Sequence, residues 1–466
     1  MPAAFTAAEI IHASHGSLIQ GRAADAFVGV STDSRSCQAG ELFIPLKGEH
    51  HDGHDYIPKA INRGVRGVVV EKRVLQENGV MSHVPANVTT VAVPDTLAVL
   101  GDLARAWRRR FNIPVVSLTG SCGKTTAKEM TAQVLSRFYR VLKNELNLNN
   151  LIGLPQTLLQ LDGSFDAAVV EMGMNRFGEI RRLTEISQPT VGVLLNVHPA
   201  HTEGVGCVEG VCRAKAELIQ ALSPEASLVF NVDDPRVAGQ AGSFPGPRLG
   251  FGFGPGADLK ASGRQPRGRE GQTLQALWQG KSQSIFLPVP GEHQAMNALA
   301  AIAAALALGL PFEEAAAALA DFRAMHRRSQ IQDLPSGAHL LNDCYNANPG
   351  SMAVALRTLM ELKGSGRAAA ALGDMLELGA HSVEAHRELG RQAAQAGLDF
   401  LVTYGRFREE VVEGAQDAGL SPVQLFPVTT KEEGARLLQE FLRPGDWLLV
   451  KGSRSMHMET IIELLE

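Results

Sequence analysis

Apolar residues along this chain gather in short runs, and the spacing between the runs changes twice. Up to about Val93, the runs Phe27–Val30, Leu42–Leu46, Val65–Val70 and Val88–Val93 are joined by polar turns containing glycine. That texture predicts short strands in a mixed α/β region. From Pro94, the runs Ile113–Ser117, Asp166–Val170, Val191–Asn196 and Ser227–Asn231 alternate with stretches of helical period. This is the pattern of a parallel sheet covered by helices. The glycine-, proline- and arginine-rich stretch Gly242–Gly271 reads as a surface excursion. Ala295–Leu310 reads as a buried alanine-rich helix, too short for a membrane span and interrupted by Asn297. Beyond Arg323–Arg328 a third alternating block begins. Its predicted strands are His339–Leu341, Ala368–Leu372, Phe400–Thr403, Val423–Phe426 and Trp447–Val450, and its predicted helices are Ser351–Leu362, Glu384–Ala396, Phe407–Ala418 and Lys431–Leu442. The expected fold is α/β in three domains, 1–93, 94–325 and 326–466: a mixed α/β domain, a central parallel-sheet domain and a second, Rossmann-like doubly wound sheet.

Composition narrows the function more than the fold. At roughly 150 residues per domain, 466 residues leave room for three domains. A net charge of −5 argues against a nucleic-acid binder, so a phosphate ligand would be held by a local site and not by a general basic field. Five cysteines at scattered positions do not make a disulfide framework and fit reduced thiols. The opening MPAAFTAAEIIHASHGS lacks a basic leader and a long apolar stretch, so a cytoplasmic chain without membrane insertion, working as a single copy, is expected.

The stretch LTGSCGKTTAKE, from Leu118 to Glu129, carries the first chemistry. A standard phosphate loop has four residues between its first glycine and the closing Gly-Lys-Ser/Thr, whereas here Gly120 is only three positions before Gly123. The physical requirements survive the shortening. Gly120 and Gly123 let backbone amides turn inward, the start of the following helix favours an anion, Lys124 adds a full positive charge, and Thr125 offers a hydroxyl to Mg²⁺. Taken alone, the loop could equally be a glycine turn capping a helix.

The rest of the chain separates these readings. TGSCGKTTAKE is followed by NLNNLIGLP (147–155), VVEMGMNRFGEI (169–180), NVHPAHTEGVG (196–206), AKAELI (214–219), NVDDP (231–235), GEHQAMNALAA (291–301), LNDCYNANPGSM (341–352), LGDMLELG (372–379) and VKGSRSMHME (450–459). In this order the stretches resemble the Mur ligases, ATP-dependent amide-forming enzymes of peptidoglycan precursor synthesis. DCYNANPGSM and GDMLELG resemble the branch that joins D-alanyl-D-alanine to a UDP-N-acetylmuramoyl-tripeptide, and the likeness spans nearly the whole chain.

The resemblance implies a set of residue roles. ATP would be held by Thr119, Gly120, Ser121, Cys122, Gly123, Lys124, Thr125 and Thr126, with Asn297 at the adenine, Arg327 at the hinge and Asp343 reaching back from the third domain. Two Mg²⁺ ions would be held by Thr125, Glu171, His201 and Lys215, the last either as a CO₂-derived carbamate or as an ordinary lysine. Lys124, Glu171, His201 and Lys215 form the implied catalytic group. Ser31, Asp33, Ser34, Arg35, Asn147 and Asn149 would line the UDP-substrate path. Tyr345, Asn346, Asn348, Ser351, Lys451, Ser453 and Arg454 would take the dipeptide, with a helix-capping turn as the plain alternative for the last three. The sequence departs from the family pattern at Gln294, where asparagine is usual, and at His326, where glycine is usual. The latter leaves Arg328 as a rival of Arg327. Two metal readings compete locally: zinc on His198, His201, Cys207 and Cys212, whose spacing is not a standard one, and a metal on His50, His51 and His54, where a turn before a helix fits better. The expected function is ATP-dependent peptide ligation, against a sister ligase adding one amino acid or a phosphate-loop NTPase module driving a partner.

Overall fold

The computed structural model describes residues 3–77, 84–200 and 202–466, so the expectation for His201 lies outside the described residues. Three sheets carry the architecture. The first has five strands, Ser17–Gln20, Thr89–Val93, Gly67–Glu71, Leu42–Phe43 and Val30–Ser31 in spatial order. Beside it, Ala4–Thr6 pairs antiparallel with Ala26–Val28. The helix Thr96–Arg108, absent from the expectations, is capped by Asp95, whose side chain accepts from Ala98 N at 3.0 Å. It joins the first sheet to the central one: its Trp107 Nε1 donates to Leu161 O at 2.8 Å, and Val99, Leu100 and Leu103 enter a core shared with Phe5, Ile10 and Leu158.

The central sheet has nine strands, in spatial order Val141–Lys143, Ala167–Glu171, Val115–Thr119, Val191–Leu194, Ser227–Asn231, Arg248–Gly252, Leu259–Pro266, Gln272–Trp278 and Lys281–Leu287. All neighbours are parallel as far as Leu259–Pro266, and the last three strands form an antiparallel meander. The expected surface excursion at Gly242–Gly271 is therefore corrected: much of it is sheet. Its glycines answer to crowding, because a Cβ on Gly250 would come within 2.6 Å of Val232 and one on Gly252 within 2.7 Å of Asp233. Strand Val115–Thr119 lies two residues beyond its expected position, since Pro114 has no N–H to give to a ladder. The alanine-rich helix, Glu292–Ala307, packs its near-zero-exposure Ala298–Ala305 stretch against helix Lys124–Leu135 and the sheet. Small side chains allow that close approach.

The third sheet has six strands, in order Gln330–Asp333, His339–Asn342, Trp447–Lys451, Ala368–Gly373, Phe400–Tyr404 and Leu425–Val428. All its pairs are parallel except the edge strand Gln330–Asp333. The expected strand at Val423–Phe426 starts at Leu425; Val423 is in a tight turn and 79% exposed. Helices Pro349–Lys363, Ser382–Ala396, Arg408–Asp417 and Lys431–Phe441 lie within a few residues of their expected positions. In both large sheets, the residues with chemical capacity sit at or just past the C-terminal strand ends, where an open α/β sheet presents ligand sites.

The third domain holds one pH-sensitive support. His386 is fully buried, accepts Met375 N at 2.9 Å with Nε2, and has Nδ1 2.6 Å from Ser382 O. Those partners fix the proton on Nδ1, and burial holds the imidazole below its usual pKa. The unfolded chain therefore takes up a proton more readily than the folded one, and stability falls as pH drops from about 6.5 through the lowered value. His386→Gln should flatten that acid limb when thermal midpoints are compared from pH 7 to pH 5, at some cost in stability at pH 7.

Candidate active site

Strand Val115–Thr119 delivers the chain into the loop Gly120–Gly123, and helix Lys124–Leu135 leaves it. Gly123 sits at φ +79°, in the left-handed region, and a Cβ there would come within 2.4 Å of Asn297 Oδ1. The turn is thus closed by glycine and pressed against the alanine-rich helix. Asn196, at the end of strand Val191–Leu194, shapes the loop from the other side: its Oδ1 accepts Ser121 N at 3.0 Å and Cys122 N at 2.8 Å, and its Nδ2 donates to Cys122 O at 3.1 Å. Ser121 Oγ and the His198 backbone hold each other reciprocally at 2.9 Å. The first-turn amides of the helix, those an α-helix leaves without intrahelical partners, face the opening.

That opening is a cavity of about 970 Å³ lined by the central and third domains. Its floor includes Ser121, Cys122, Gly123, Lys124, Thr125 and Thr126; Asn147, Asn149, Glu171 and Asn297 line it from the same domain. Lys124 Nζ donates to Gly120 O at 2.9 Å and Ser121 O at 3.4 Å, with no carboxylate within ion-pair distance among the described residues. Burial pushes its pKa down, while the Glu171 charge resists that change. Thr119 and Gly120 support the loop from below: Thr119 Oγ1 donates to Met172 O at 2.9 Å.

Glu171 is the clearest ligand candidate. It is 3% exposed at a strand end; Oε1 accepts Asn149 Nδ2 at 2.7 Å, and Oε2 is buried with no partner among the described residues. A buried carboxylate oxygen left unpaired is costly unless a cation meets it. Together with the Thr125 hydroxyl across the cavity, this orphaned oxygen fits a hard divalent ion. Asn149, expected on the UDP-substrate path, lines the cavity and also orients that carboxylate, and a Cβ on Gly173 would meet its amide at 2.9 Å.

Lys215, on helix Val208–Ala221, is 1% exposed and has no hydrogen-bond or ion-pair partner among the described residues. Burial lowers its pKa well below the usual lysine value, and Lys124 lowers it further. The zinc reading includes His201 and so lies partly outside the described residues; among the described residues there is no cluster of three or more His, Cys, Asp or Glu suited to a metal. The histidine reading near residue 50 fails at His54, whose two ring nitrogens are engaged by Asp52 at 2.6 Å and by Glu71 N at 3.1 Å. His54 braces the turn before helix Ile57–Asn62.

The third domain contributes Asp343, Tyr345, Asn346, Asn348, Ser351, Lys451 and Arg454 to the lining. Lys451, 2% exposed, is held by Asp343 Oδ2 at 2.5 Å and Asn346 O at 2.9 Å, so the strand-end pair is locked together. Asn348 caps helix Pro349–Lys363 in a reciprocal box with Ser351, and also reaches the phosphate loop, with Cys122 Sγ 3.1 Å from its Oδ1. Ser351 is therefore a helix cap as well as a lining residue. Ser453 lies behind the wall, its Oγ accepting Leu376 N at 2.9 Å.

The two adjacent arginines at the hinge part company. Arg327 has φ +60° and its guanidinium turns to Glu459 at 2.6 Å, outside the cavity. Its neighbour Arg328 lines the cavity, stacks over the Tyr345 ring at 3.9 Å, and lies near enough to Lys124 to depress its pKa. Two adjacent arginines point opposite ways, and the inward one is Arg328. Ser31, Asp33, Ser34 and Arg35 are not in the lining. Asp33 and Arg35 pair at the surface at 2.9 Å, and the segment docks on the central domain through Thr32, whose Oγ1 accepts Gln156 Nε2 at 2.7 Å. This sets it beside Leu151 and Ile152, which do line the cavity.

Several lining residues carried no expectation, namely Asn196, His293, Arg357 and Glu361, and His198 was weighed only as a zinc ligand. Burial lowers the pKa of His198 and pushes His293 down to about 4, so both rings are neutral near pH 7. Asn196 and His198 fall inside the NVHPAH stretch, so the signal was present but could not separate loop-shaping from ligand-binding.

Comparison with known proteins matches this architecture throughout. Family models described as the Mur ligase family catalytic domain, the Mur ligase middle domain and the Mur ligase glutamate ligase domain match residues 26–108, 118–305 and 326–454. The chain is similar to the UDP-N-acetylmuramoyl-tripeptide–D-alanyl-D-alanine ligase of Bacillus subtilis (strain 168), at 34% identity over 93% of this chain and 92% of the relative. The enzyme of the same name from Escherichia coli (strain K12) is 34% identical over 94% and 93%. Among solved structures, MurF from Acinetobacter baumannii superimposes with a TM-score of 0.90 at 31% identity, covering 100% of this chain and 99% of that one. The MurF ligase of Thermotoga maritima in complex with ADP gives 0.82 at 26% identity, covering 94% and 96%.

Proposed function

The chain belongs to the Mur ligase family, and from that premise we propose that it joins D-alanyl-D-alanine to a UDP-N-acetylmuramoyl-tripeptide with conversion of ATP to ADP and phosphate. The observation that carries this reading is the cavity shared by the central and third domains. A phosphate loop with an unpaired lysine stands on one side of it, and the DCYNANPGSM loop with its locked Asp343–Lys451 pair stands on the other.

The chemistry has to bring two anions, a peptide carboxylate and the γ-phosphate, together. The carboxylate oxygen attacks phosphorus, the bond to the bridging oxygen breaks and ADP leaves. The dipeptide amine then attacks the acyl carbon, gives up a proton, and phosphate departs as the amide forms. Lys124 and the loop amides hold the phosphates, Arg328 adds positive charge from the hinge side, and Asn297 stands where the adenine side of the cleft meets Gly123. Mg²⁺, when bound, supplies Lewis-acid charge that offsets the repulsion. Thr125 and Glu171 would hold it, with Lys215 at a second ion after its neutral amine has taken up CO₂ as a carbamate. The deprotonated state favoured by burial is the form of an amine that can make that bond. Arg454 and Tyr345 would take the dipeptide, and the Ser31–Arg35 segment with Asn147 the UDP-substrate. Domain divisions near residues 93 and 325 fit the three sheets, although helix Thr96–Arg108 leans on both sides of the first.

No helix among the described residues is long and apolar enough to cross a membrane. The test is coupled phosphate release. Release should require ATP, Mg²⁺, the UDP-tripeptide and D-alanyl-D-alanine together. Equal release with a single amino acid in place of the dipeptide would point to the sister activity, and release with ATP alone would point to an NTPase module.

A further inference from the structure

Lys128 lies one turn beyond the phosphate loop, on the face of helix Lys124–Leu135 turned away from the cavity, and is 1% exposed. Burying an ammonium costs several kcal/mol unless it is paired and hydrogen-bonded, so the position calls for an explanation. Its partners give one. Nζ forms an ion pair with Glu129 Oε1 at 3.0 Å and donates a short hydrogen bond to the backbone carbonyl of Asn144. Glu129 is anchored in turn by Lys143 at 2.5 Å, so the cation and the strand end Val141–Lys143 are fixed as a unit.

Asn144 is 1% exposed and uses its whole side chain on its neighbours. Its Oδ1 accepts Glu171 N at 2.9 Å, and its Nδ2 donates to Glu171 O at 3.1 Å and Leu148 O at 2.8 Å. The backbone of Glu171 is thus clamped on both polar groups by one amide. The side chain of Glu171, which lines the cavity, is clamped at Oε1 by Asn149, leaving Oε2 buried without a partner among the described residues. Lys128 reaches neither nucleotide nor metal; it touches the residue that sets the height and direction of the carboxylate.

We infer that Lys128 is a positioning residue for the divalent-cation site, acting through Asn144 on Glu171. The inference rests on the reading of Glu171 as a cation ligand, and goes beyond it in assigning the buried lysine a function other than holding the helix. Removing the ammonium frees the Asn144 carbonyl and the strand end to relax, and the carboxylate loses its preset direction while the phosphate loop keeps its own supports in Asn196 and Asn297.

Metal binding separates this role from a merely structural one. Mn²⁺ binding, followed by paramagnetic resonance in the presence of ADP, should weaken by about 10-fold or more in Lys128→Met and in Asn144→Ala, the scale typical of supports behind metal ligands. ADP binding without metal should change less than about 2-fold in both, since the loop is untouched. The double variant should bind Mn²⁺ no more weakly than Asn144→Ala alone, because the effect passes through that residue. If Lys128→Met does not fold, Asn144→Ala and Lys128→Arg carry the test, the arginine keeping a donor and binding Mn²⁺ more tightly than Asn144→Ala. Unchanged Mn²⁺ affinity in a folded Lys128→Met, additive losses in the double variant, or parallel loss of metal-free ADP binding would each overturn the inference. Failure of the underlying reading shows differently: Glu171→Gln would then leave Mn²⁺ affinity unmoved.

Discussion

Replacing Lys124 by alanine is expected to lower kcat/KM by more than about 100-fold, a loss of about 3 kcal/mol or more in transition-state stabilisation, while leaving the folded protein at least as stable. The two halves of this expectation come from the same facts. Among the described residues Lys124 Nζ is held only by the carbonyls of Gly120 and Ser121, and its pKa is depressed by burial, so the folded protein carries a charge it stabilises poorly. Truncation removes that desolvated cation and no core contact, so the thermal midpoint should not fall. The reaction, by contrast, gathers negative charge on the phosphates beside the loop, and there the ammonium has no substitute. Arg328 comes from the other side of the cleft, and the loop amides carry partial charges only. Turnover above about a tenth of the wild-type value, measured by coupled ADP formation at saturating substrates, would remove the loop from the catalytic assignment. A lowered midpoint would instead show that the lysine braces the turn.

The parts of this architecture legible in the sequence were those written in periodicity. Parallel strands buried on both faces, such as Ala167–Glu171 and Val191–Leu194, are continuous apolar runs, and the helices between them keep a regular stripe. What the pattern hid is equally specific. Strand Arg248–Gly252 reads RLGFG, and its glycines look like a loop until Val232 and Asp233 are seen to leave no room for a Cβ. Helix Thr96–Arg108 follows an apolar strand with little break, and only its Asp95 cap marks the start.

The site shows the same division. Motif residues that touch the cavity, from Ser121 to Thr126 and from Asp343 to Ser351, were legible because their types suit phosphate or peptide recognition. Orientation was not. Whether Arg327 or Arg328 faces the cavity depends on one backbone angle, and the left-handed turn at Arg327 sends its side chain to Glu459. Asn149 has the polarity of a substrate contact but spends its amide on Glu171. Lys128 had no role of its own within TGSCGKTTAKE and Asn144 carried no signal, because a lysine and an asparagine in polar stretches are ordinary until burial is known.

The second large effect is expected at Lys215. Lys215→Ala should lower kcat/KM by at least about 100-fold, comparable with losing one preorganised charge from the transition state. The physical reasoning turns on protonation. A buried ammonium beside Lys124 and without a partner among the described residues is disfavoured, and burial holds the pKa well below the usual lysine value, so the neutral amine is more accessible than in an exposed lysine. A neutral amine takes up CO₂ and releases a proton, which turns a cation that would repel Mg²⁺ into an anion with oxygen donors. Three consequences follow, of which an ordinary phosphate-contacting lysine shares only the second. Wild-type activity should drop in rigorously CO₂-free buffer and return on adding bicarbonate. The alanine variant should ignore bicarbonate, since no amine remains to accept CO₂. Short carboxylic acids at high concentration should partly restore that variant by lending an oxygen ligand through the space the side chain vacated. Wild-type turnover indifferent to CO₂, or an unmodified side chain at Lys215 in a metal- and nucleotide-bound crystal structure, would instead leave Lys215 as a buried, unmodified lysine whose effect on rate comes from packing and charge.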